Sequence, residues 1–549
     1  MRCTGTPVVP GIGVGVVVTP APRPTVPADE PSRSDLAEAF ATASALVAER
    51  LTTRAAAASG AASEVLSATA ALATDRGLAA LVAKHADRGP ATAVTAAVEE
   101  LEAMFTAAGG LMAERVTDLR DVRDRVVAEL LGLPEPGIVP PTEPSVLFAD
   151  DLAPADTAGL DPELVVGIAC RLGGTTSHTA IIARQLGIPC VVGVADLPVE
   201  DVPARALVDG GTGEVIPDPD ADEATRRVEH DEARRAASAG WTGPGATADG
   251  TPVQVLANVQ DAAGAERAAA EPVEGFGLYR TELSFLDRGS EPTVEEQTDV
   301  YAGVLQAAGE HKVVVRTLDA GSDKPLAFAD MGKEPNPALG VRGLRVARRM
   351  PELLERQLEA IAAAAERTGV ETWVMAPMVS VLSEAADFAA QVRALGLTPG
   401  VMIETPSAAL LTDRLLEHLD FVSIGTNDLS QYAFAADRMA ADLGDLTDPW
   451  QPGLLRLVEI IAAAGQAAGK PVGVCGEAAA DPQLACVLAG LGVTSLSCAA
   501  TAVRAVGAQL GAVTMEQCRE AARVALAADD PAAARAAVAE VLAGSGPGA

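Results

Sequence analysis

The chain has 549 residues, of which 49% are apolar and only 3% aromatic. This length exceeds what one hydrophobic core supports, so we expect two to four domains with cores built mainly from Ala, Val and Leu. Asp and Glu outnumber Lys and Arg by 75 to 41, and the net charge of −34 disfavours nucleic acid or an anionic membrane surface as the main partner and favours a neutral or basic protein.

The first 131 residues combine one predicted strand with a long helical segment. Residues 7–19 form an apolar β-like run, and the Pro-rich stretch 20–31 follows it. From 32 to 131 the sequence is Ala-rich, with apolar residues at helical spacing and breaks at Gly60, at 88–90 and at 109–110. This pattern predicts three or four helices packed as a bundle.

A small α/β unit is predicted next. Segment 132–144 contains five prolines and cannot continue a helix, so it marks a boundary. Short β-like runs and one helix follow between 145 and 215, and residues 7–19 are expected to add a strand to this unit. The helical segment is then an insertion into it. Residues 218–240 are charged and helix-prone, which is typical of a solvated connector.

The rest of the chain alternates apolar β-runs with helical stretches. Eight such runs over roughly 295 residues fit a (β/α)₈ barrel in both number and length. Because active sites of these barrels lie at the carboxyl ends of the strands, chemistry is expected there. The predicted runs cover residues 253–259, 275–282, 312–320, 372–379, 400–406, 421–428, 471–477 and 494–499.

The seven cysteines are scattered, and no C-x-x-C pair occurs among them. A disulfide framework or a zinc site is therefore not expected. The apolar N-terminus is interrupted by Pro and Gly and does not resemble a signal peptide. No run of 18 apolar residues occurs, so no transmembrane helix is implied and we expect a soluble, cytoplasmic protein.

One motif places a histidine at a helix start. Gly173 and Gly174 permit a tight turn, the hydroxyl residues 175–177 are natural caps, and His178 opens the helix. Free backbone N–H groups at such a terminus favour a phosphate, and the histidine there can accept a phosphoryl group on a ring nitrogen. The alternative is that the hydroxyls are ordinary caps and His178 is a surface residue.

A second set of candidates ends the predicted barrel strands. Arg280 and Arg316 place two permanent cations at the barrel mouth, suited to bidentate contact with phosphate or carboxylate. Glu404 and Asp428 end consecutive β-runs and can converge as hard oxygen ligands for Mg²⁺. The alternatives are surface salt bridges for the arginines and a helix cap for Asp428.

Three further residues complete this set. Asn427 offers an amide beside the predicted metal ligands, and Arg438 adds a third cation ten residues after Asp428. Cys475 ends the seventh predicted strand and supplies a titratable thiol near the metal, usable as a proton donor. Its alternative is a buried core thiol.

These residues lie in sequence blocks that resemble one family. The segment GGTTSHTAIIARQLGIPCVVG resembles the phosphohistidine signature of the phosphoenolpyruvate-utilising enzymes. The blocks GFGLYRTELSFLDR, VVRTLDAGSDKPL, NPALGVRGLR, VMIETPSAAL, DFVSIGTNDLSQYAFAADR and GVCGEAAADP resemble the barrel blocks of that family, in the same order. The helical insertion, ending ERVTDLRDVRDRVVAELLG, looks like that of the Enzyme I group, which serves the bacterial sugar phosphotransferase system.

The resemblance implies a role for each candidate. His178 matches the histidine phosphorylated at Nε2, and Cys475 matches the acid that protonates the enolate to give pyruvate. The residues that hold phosphoenolpyruvate in the family are matched by Arg280, Arg316, Asn427 and Arg438. The family's Mg²⁺ ligands are matched by Glu404 and Asp428, and Asp428 also matches a residue that contacts the substrate.

The implied organisation is a multidomain α/β protein whose partner is the phosphocarrier HPr. The expected parts are a swivelling phosphohistidine α/β domain (1–29 and 132–217), an inserted helical HPr-docking domain (30–131), a helical linker (218–248) and a phosphoenolpyruvate-binding (β/α)₈ barrel (249–549). A homodimer through the barrel is implied by the resemblance alone.

Two other functions stay open at this point. One is a nucleotide-using relative, a pyruvate phosphate dikinase or phosphoenolpyruvate synthase, but only about 170 residues precede His178, which leaves too little chain for an ATP-binding domain. The other is a regulatory protein that senses phosphoenolpyruvate without turnover, and the intact set of His178, Cys475 and metal ligands argues against it. Oxygen ligands suit Mn²⁺ as well as Mg²⁺.

Overall fold

A computed structural model describes residues 2–543 except 22, 28, 58–60, 109–114, 139–140, 151, 153–159, 175–176, 200, 286–287, 322–325, 327, 329–331, 333, 438–439 and 441–442. The chain divides into two compact units, residues 1–233 and 234–549. No helix in these described ranges is both long and apolar enough to cross a membrane.

An eight-stranded sheet organises the first unit, in the order β1-β8-β7-β3-β4-β5-β6-β2. The strand β3 pairs in parallel with β4, so the sheet joins the N-terminal residues to residues beyond the helical segment. The strands are Cys3–Thr4 (β1), Thr6–Val9 (β2), Ile12–Val18 (β3), Ser145–Ala149 (β4), Val165–Cys170 (β5), Cys190–Val192 (β6), Arg205–Asp209 (β7) and Glu214–Pro217 (β8).

The two first strands lie at opposite edges of this sheet, and Gly5 alone separates them. β1 pairs with β8, whereas β2 pairs with β6. The N–H of Gly5 donates to the carbonyl of Gly213 at 2.9 Å. A Cβ at position 5 would lie 2.6 Å from the carbonyl oxygen of Val192, so the close approach requires glycine.

Between β3 and β4 the described residues form five helices, where the sequence predicted three or four. The missed break is at Asp75, whose side chain caps a new helix by accepting from the N–H of Leu78 at 3.0 Å. Apolar residues such as Val47, Leu51 and Val94 form the shared core of these helices. The helices are Leu36–Ala57, Ala61–Ala73, Arg76–Lys84, Pro90–Ala108 and Val116–Leu131.

Two further helices follow the sheet strands. The helix His178–Leu186 lies between β5 and β6, as the sequence predicted. The charged connector forms one helix, Ala221–Gly240, on which Asp231 is buried and accepts from the N–H of Ile12 at 3.1 Å.

The second unit is a closed barrel of eight parallel strands, which confirms the predicted fold class. The last strand, β16, pairs in parallel with the first, β9, and closes the ring. The strands are Gln254–Val259 (β9), Gly275–Arg280 (β10), Lys312–Arg316 (β11), Thr372–Ala376 (β12), Thr398–Ile403 (β13), Phe421–Ile424 (β14), Val472–Val474 (β15) and Ser495–Cys498 (β16).

Helices cover the outside of this barrel and pack on its Val- and Ala-rich strands. The α-helices are Ala262–Ala269, Val294–Ala307, Pro351–Thr368, Leu382–Ala394, Pro406–Leu410, Thr412–Leu415, Thr426–Phe434, Pro452–Ala468, Pro482–Gly490, Val503–Gly511, Met515–Ala527 and Pro531–Ala543. Short 3₁₀ turns span Glu282–Ser284, Pro337–Leu339, Gly343–Arg348, Glu477–Ala480 and Ala500–Ala502.

Candidate active site

The predicted histidine motif forms a glycine turn followed by a capped helix. Gly173 has a φ of +92°, in the left-handed region that favours glycine. The hydroxyl of Ser177 accepts from the N–H of Ala180 at 3.3 Å, and the helix begins at His178. Residues 175–176 and the side chain of His178 lie outside the described part. The first turn of such a helix leaves backbone N–H groups available for an anion.

Four of the predicted barrel residues lie at strand ends. Arg280 and Arg316 are the last residues of β10 and β11, while Glu404 and Cys475 directly follow β13 and β15. Because all strands are parallel, these ends share the carboxyl face of the barrel.

The prediction that Asp428 ends a strand was wrong, although its neighbour Asn427 lies beside it as expected. β14 stops at Ile424, and both residues lie in the first turn of the helix Thr426–Phe434. Gly425 leaves the extended conformation between the two elements, a change that the apolar pattern of the sequence did not reveal. Arg438 lies outside the described residues.

Arg316 is buried among acidic groups. Its Nη2 donates to Oε1 of Glu282 at 2.6 Å, and its Nη1 lies 3.4 Å from Oδ2 of Asp319. Nη1 also lies 3.7 Å from the sulfur of Met402, and the buried Nε has no hydrogen-bond partner among the residues that the structure describes. The guanidinium is thus held by carboxylates on one side and retains an N–H for a further acceptor.

Arg342 is a second buried arginine, which the sequence reasoning did not select. Its Nε and Nη2 donate to the two oxygens of Asp319 at 3.2 and 2.9 Å, and its Nη1 lies 3.3 Å from Oδ1 of Asp428. Gly321 and Arg342 form an antiparallel backbone bridge, which brings the two segments together. A signal existed in the block NPALGVRGLR, but this segment has no strand pattern that would place it at the mouth.

Glu404 is a buried carboxyl with one unpaired oxygen. Its Oε1 accepts from the N–H of Met378 at 2.6 Å, where Met378 has a left-handed φ of +62°. Its Oε2 is buried and has no hydrogen-bond partner within the described part of the chain. Burial, followed by the charges of Asp319 and Asp428, raises the pKa of Glu404 to about 8, although Arg316 opposes the shift.

Cys475 is a buried thiol beside the same groups. Its Sγ–H donates to the carbonyl of Ile424 at 3.5 Å. Burial raises the pKa of the Cys475 thiol, while Arg316 and Arg280 lower it and Glu404 raises it further. The thiol therefore keeps its proton at neutral pH.

A close contact between two loops positions Cys475 and Asn427. A Cβ at Gly476 would lie 1.9 Å from Oγ1 of Thr426, so glycine lets the two strand ends approach. The N–H of Glu477 donates to Oδ1 of Asn427 at 3.0 Å.

The residues present fit a single divalent cation bound with substrate. Within the described ranges no group of three or more His, Cys, Asp or Glu side chains is arranged to hold a metal ion. Mg²⁺, however, is usually held by one or two carboxylates together with water and substrate oxygens. Glu404 supplies a buried carboxyl oxygen that has no hydrogen-bond partner among the described residues, and Asp428 supplies a carboxylate whose charge is balanced by Arg342.

The fold and this site define a barrel enzyme for an anionic substrate. Buried guanidinium groups offer bidentate contact with phosphate or carboxylate, and a protonated thiol lies beside them.

Comparison with family models agrees with this class. The PEP-binding domain of PEP-utilising enzymes matches residues 235–515, the mobile domain of these enzymes matches 141–213, and their N-terminal domain matches 4–115. The chain belongs to the family of phosphoenolpyruvate-utilising enzymes. Phosphoenolpyruvate is the substrate of this family, and its members use a metal ion.

Similar proteins extend over most of the chain. A phosphoenolpyruvate-protein phosphotransferase from Streptomyces coelicolor is 48% identical over 97% of this chain and 96% of its own length. One of the same name from Staphylococcus carnosus is 39% identical over 71% of each chain. Among solved structures, an NMR structure of an Enzyme I protein is 30% identical, covers 42% of this chain and 99% of its own, and has a TM-score of 0.37.

Proposed function

We propose that this chain is a phosphoenolpyruvate-protein phosphotransferase that moves the phosphoryl group of phosphoenolpyruvate to His178 and then to HPr, releasing pyruvate. The observation that carries the proposal is the 48% identity to a phosphotransferase of that name over nearly the full length of both chains. The buried arginines and the thiol at the carboxyl end of the barrel supply the chemistry this reaction needs.

Five residues bind the substrate in this proposal. Arg316 and Arg280 neutralise the phosphate, and Asn427, Asp428 and Arg438 hold the rest of the molecule. The unpartnered Nε of Arg316 supports its role as a donor to substrate. Arg342, buried beside Asp428, adds a further cation.

Glu404 and Asp428 would hold the metal ion, which we propose to be Mg²⁺. When bound, this ion neutralises negative charge on the substrate and on the phosphoryl group during transfer. The chain's own contribution is a dry pocket in which Met378 fixes one oxygen of Glu404 and leaves the other available.

Cys475 supplies the proton that converts the enolate into pyruvate. The imidazole Nε2 of His178 forms a bond to phosphorus while the bond from phosphorus to the enol oxygen breaks. The electron pair released there forms the enolate, whose methylene carbon takes the proton of Cys475 to give pyruvate. Burial supports this role because it keeps the thiol protonated.

The other domains carry the phosphoryl group from the barrel to HPr in this proposal. We assign residues 1–29 and 132–217 to the swivelling phosphohistidine domain, 30–131 to HPr docking, 218–248 to the linker and 249–549 to the barrel, which also forms a homodimer. In this proposal the reaction feeds sugar transport and takes place in the cytoplasm.

The test uses phosphoenolpyruvate labelled at phosphorus, with Mg²⁺ and no nucleotide. We expect acid-labile label on the wild-type chain, release of pyruvate, and transfer of the label to added HPr. His178→Ala should abolish labelling, whereas His230→Ala, at an exposed position on the helix Ala221–Gly240, should not. Label that ignores HPr but moves to AMP plus phosphate would favour a dikinase, and binding without labelling would favour a sensor.

A further inference from the structure

Asp319 lies between the two buried arginines of the barrel mouth. It comes three residues after Arg316, the end of β11, and its side chain is 1% exposed. It is therefore inside the site and shielded from water, and none of the sequence motifs assigned it a role.

Its two carboxylate oxygens reach both guanidinium groups. Oδ1 accepts from Nε of Arg342 at 3.2 Å, and Oδ2 accepts from Nη2 of the same residue at 2.9 Å. That same Oδ2 lies 3.4 Å from Nη1 of Arg316. Two like-charged groups thus share one oxygen, so their nitrogens are no further apart than the sum of these two distances.

Two buried cations this close repel each other unless an anion lies between them. Glu282 gives Arg316 a second contact, at 2.6 Å, and Asp428 gives Arg342 a second contact, at 3.3 Å. Only Asp319 contacts both guanidinium groups among the hydrogen bonds and ion pairs recorded for the described residues. Its own N–H also donates to Oε1 of Glu282 at 3.2 Å, which fixes its backbone.

The other partners of Arg342 and Arg316 have different tasks in the proposed function. Asp428 is a proposed metal ligand, so a bound cation would compete with Arg342 for this carboxylate. The two hydrogen bonds between Asp319 and Arg342 do not involve Asp428, so they hold the guanidinium at the barrel mouth with or without a bound cation. The backbone bridge between Gly321 and Arg342 supports the same placement.

We propose that Asp319 is a positioning residue for the phosphoryl-transfer site: it holds Arg316 and Arg342 together so that both can face one phosphate. This inference rests on the proposed function. Asp319 acts through the arginines, because its oxygens are already engaged by guanidinium donors.

The experiment measures single-turnover phosphorylation of the full-length chain by labelled phosphoenolpyruvate with Mg²⁺, without HPr, at several substrate concentrations. Asp319→Asn keeps the shape and removes the charge. We expect the rate at low phosphoenolpyruvate concentration to fall by about 100-fold, because a buried charge pair loses one partner. When Arg342 is already replaced by Gln, Asp319→Asn should lower this rate by well under tenfold, because the guanidinium that Asp319 holds is no longer present.

A control removes a bidentate but partly exposed ion pair elsewhere in the barrel unit. Asp448 binds Arg535 through two contacts of 2.8 and 2.9 Å, so Asp448→Asn also separates a bidentate pair, and we expect the phosphorylation rate to be unchanged. An Asp319→Asn enzyme as fast as the wild type would overturn the inference. So would equal costs in the two backgrounds, because they would show that Asp319 acts independently of Arg342.

Two further measurements keep the inference separate from the proposed function. If the wild type takes no label, the proposed function fails, and calorimetric binding of phosphoenolpyruvate with Mg²⁺ then tests Asp319 in the same two backgrounds. If thermal unfolding shows that Asp319→Asn is not folded, Asp319→Glu is used in its place. A loss of phosphorylation rate that is additive with the loss in Arg342→Gln would again contradict the inference.

Discussion

The two ends of the barrel use their buried polar groups differently. At the carboxyl end Arg316, Asp319 and Arg342 form a chain of buried ion pairs. At the amino end the ammonium of Lys312 lies 4.0 Å from the ring centre of Trp373, whose ring is 4.8 Å from that of Phe421.

This difference in buried polar groups indicates which end of the barrel binds the substrate. Burying charges costs free energy that ion pairing only partly offsets, so a chain of them is poor evidence for stability. The amino end encloses a cavity of only about 30 Å³, which is space for water and not for a metabolite. Changes at the carboxyl end should therefore alter reaction rates, and changes at the amino end should alter stability.

The largest expected effect is on the proton donor. Cys475→Ala should slow pyruvate release on the order of 100-fold or more, because the enolate loses its acid. The control is Cys498→Ala: Cys498 ends the next strand but is packed in the core between barrel and helices, and its loss should leave the rate unchanged. A coupled assay of pyruvate production compares the two variants. Equal rates for both would show that Cys475 is not the proton donor.

A smaller effect is expected from the aromatic pair at the other end. Trp373→Ala removes the ring contacts with Lys312 and Phe421 and should lower the free energy of unfolding by about 2 kcal/mol. Urea unfolding measures this change. Phosphorylation by phosphoenolpyruvate should stay at the wild-type rate under conditions where the variant is folded, and a slower rate would break the contrast between the two ends.

The smallest effect concerns pH. Burial lowers the pKa of Lys312, against the opposing charges of Glu371 and Glu274. The folded chain therefore binds this proton less tightly than the unfolded chain, so the contribution of Lys312 to stability rises with pH between its folded pKa and 10.5. Lys312→Met should remove that rise in urea unfolding measured across this window, and an unchanged slope would show that Lys312 is not the source.

Local pattern predicted those parts of the site that lie next to strands. Arg316, Glu404 and Cys475 each adjoin a short apolar run, and the alternation of runs predicted the barrel. The pattern did not show that the run before Asp428 stops at Ile424, because the glycine between strand and helix fits either conformation.

The rest of the site depends on contacts between distant segments. Arg342 and Asp319 are 23 residues apart and meet through a backbone bridge in a segment without periodicity. Asp319 falls within the predicted β-run 312–320, but no local pattern pairs it with Arg342. The helix break at Asp75 was missed for a related reason, since a capping side chain leaves the apolar spacing on either side intact.

Residues 3–9 pair with both edges of the sheet in the first unit. Gly5 is the only residue between two strands that cover opposite edges, β8 on one side and β6 on the other. A loss of this short stretch would uncover both edges at once, and unpaired edges recruit strands from other molecules. Constraints on residues 3–9 are thus a matter of solubility as much as of fold.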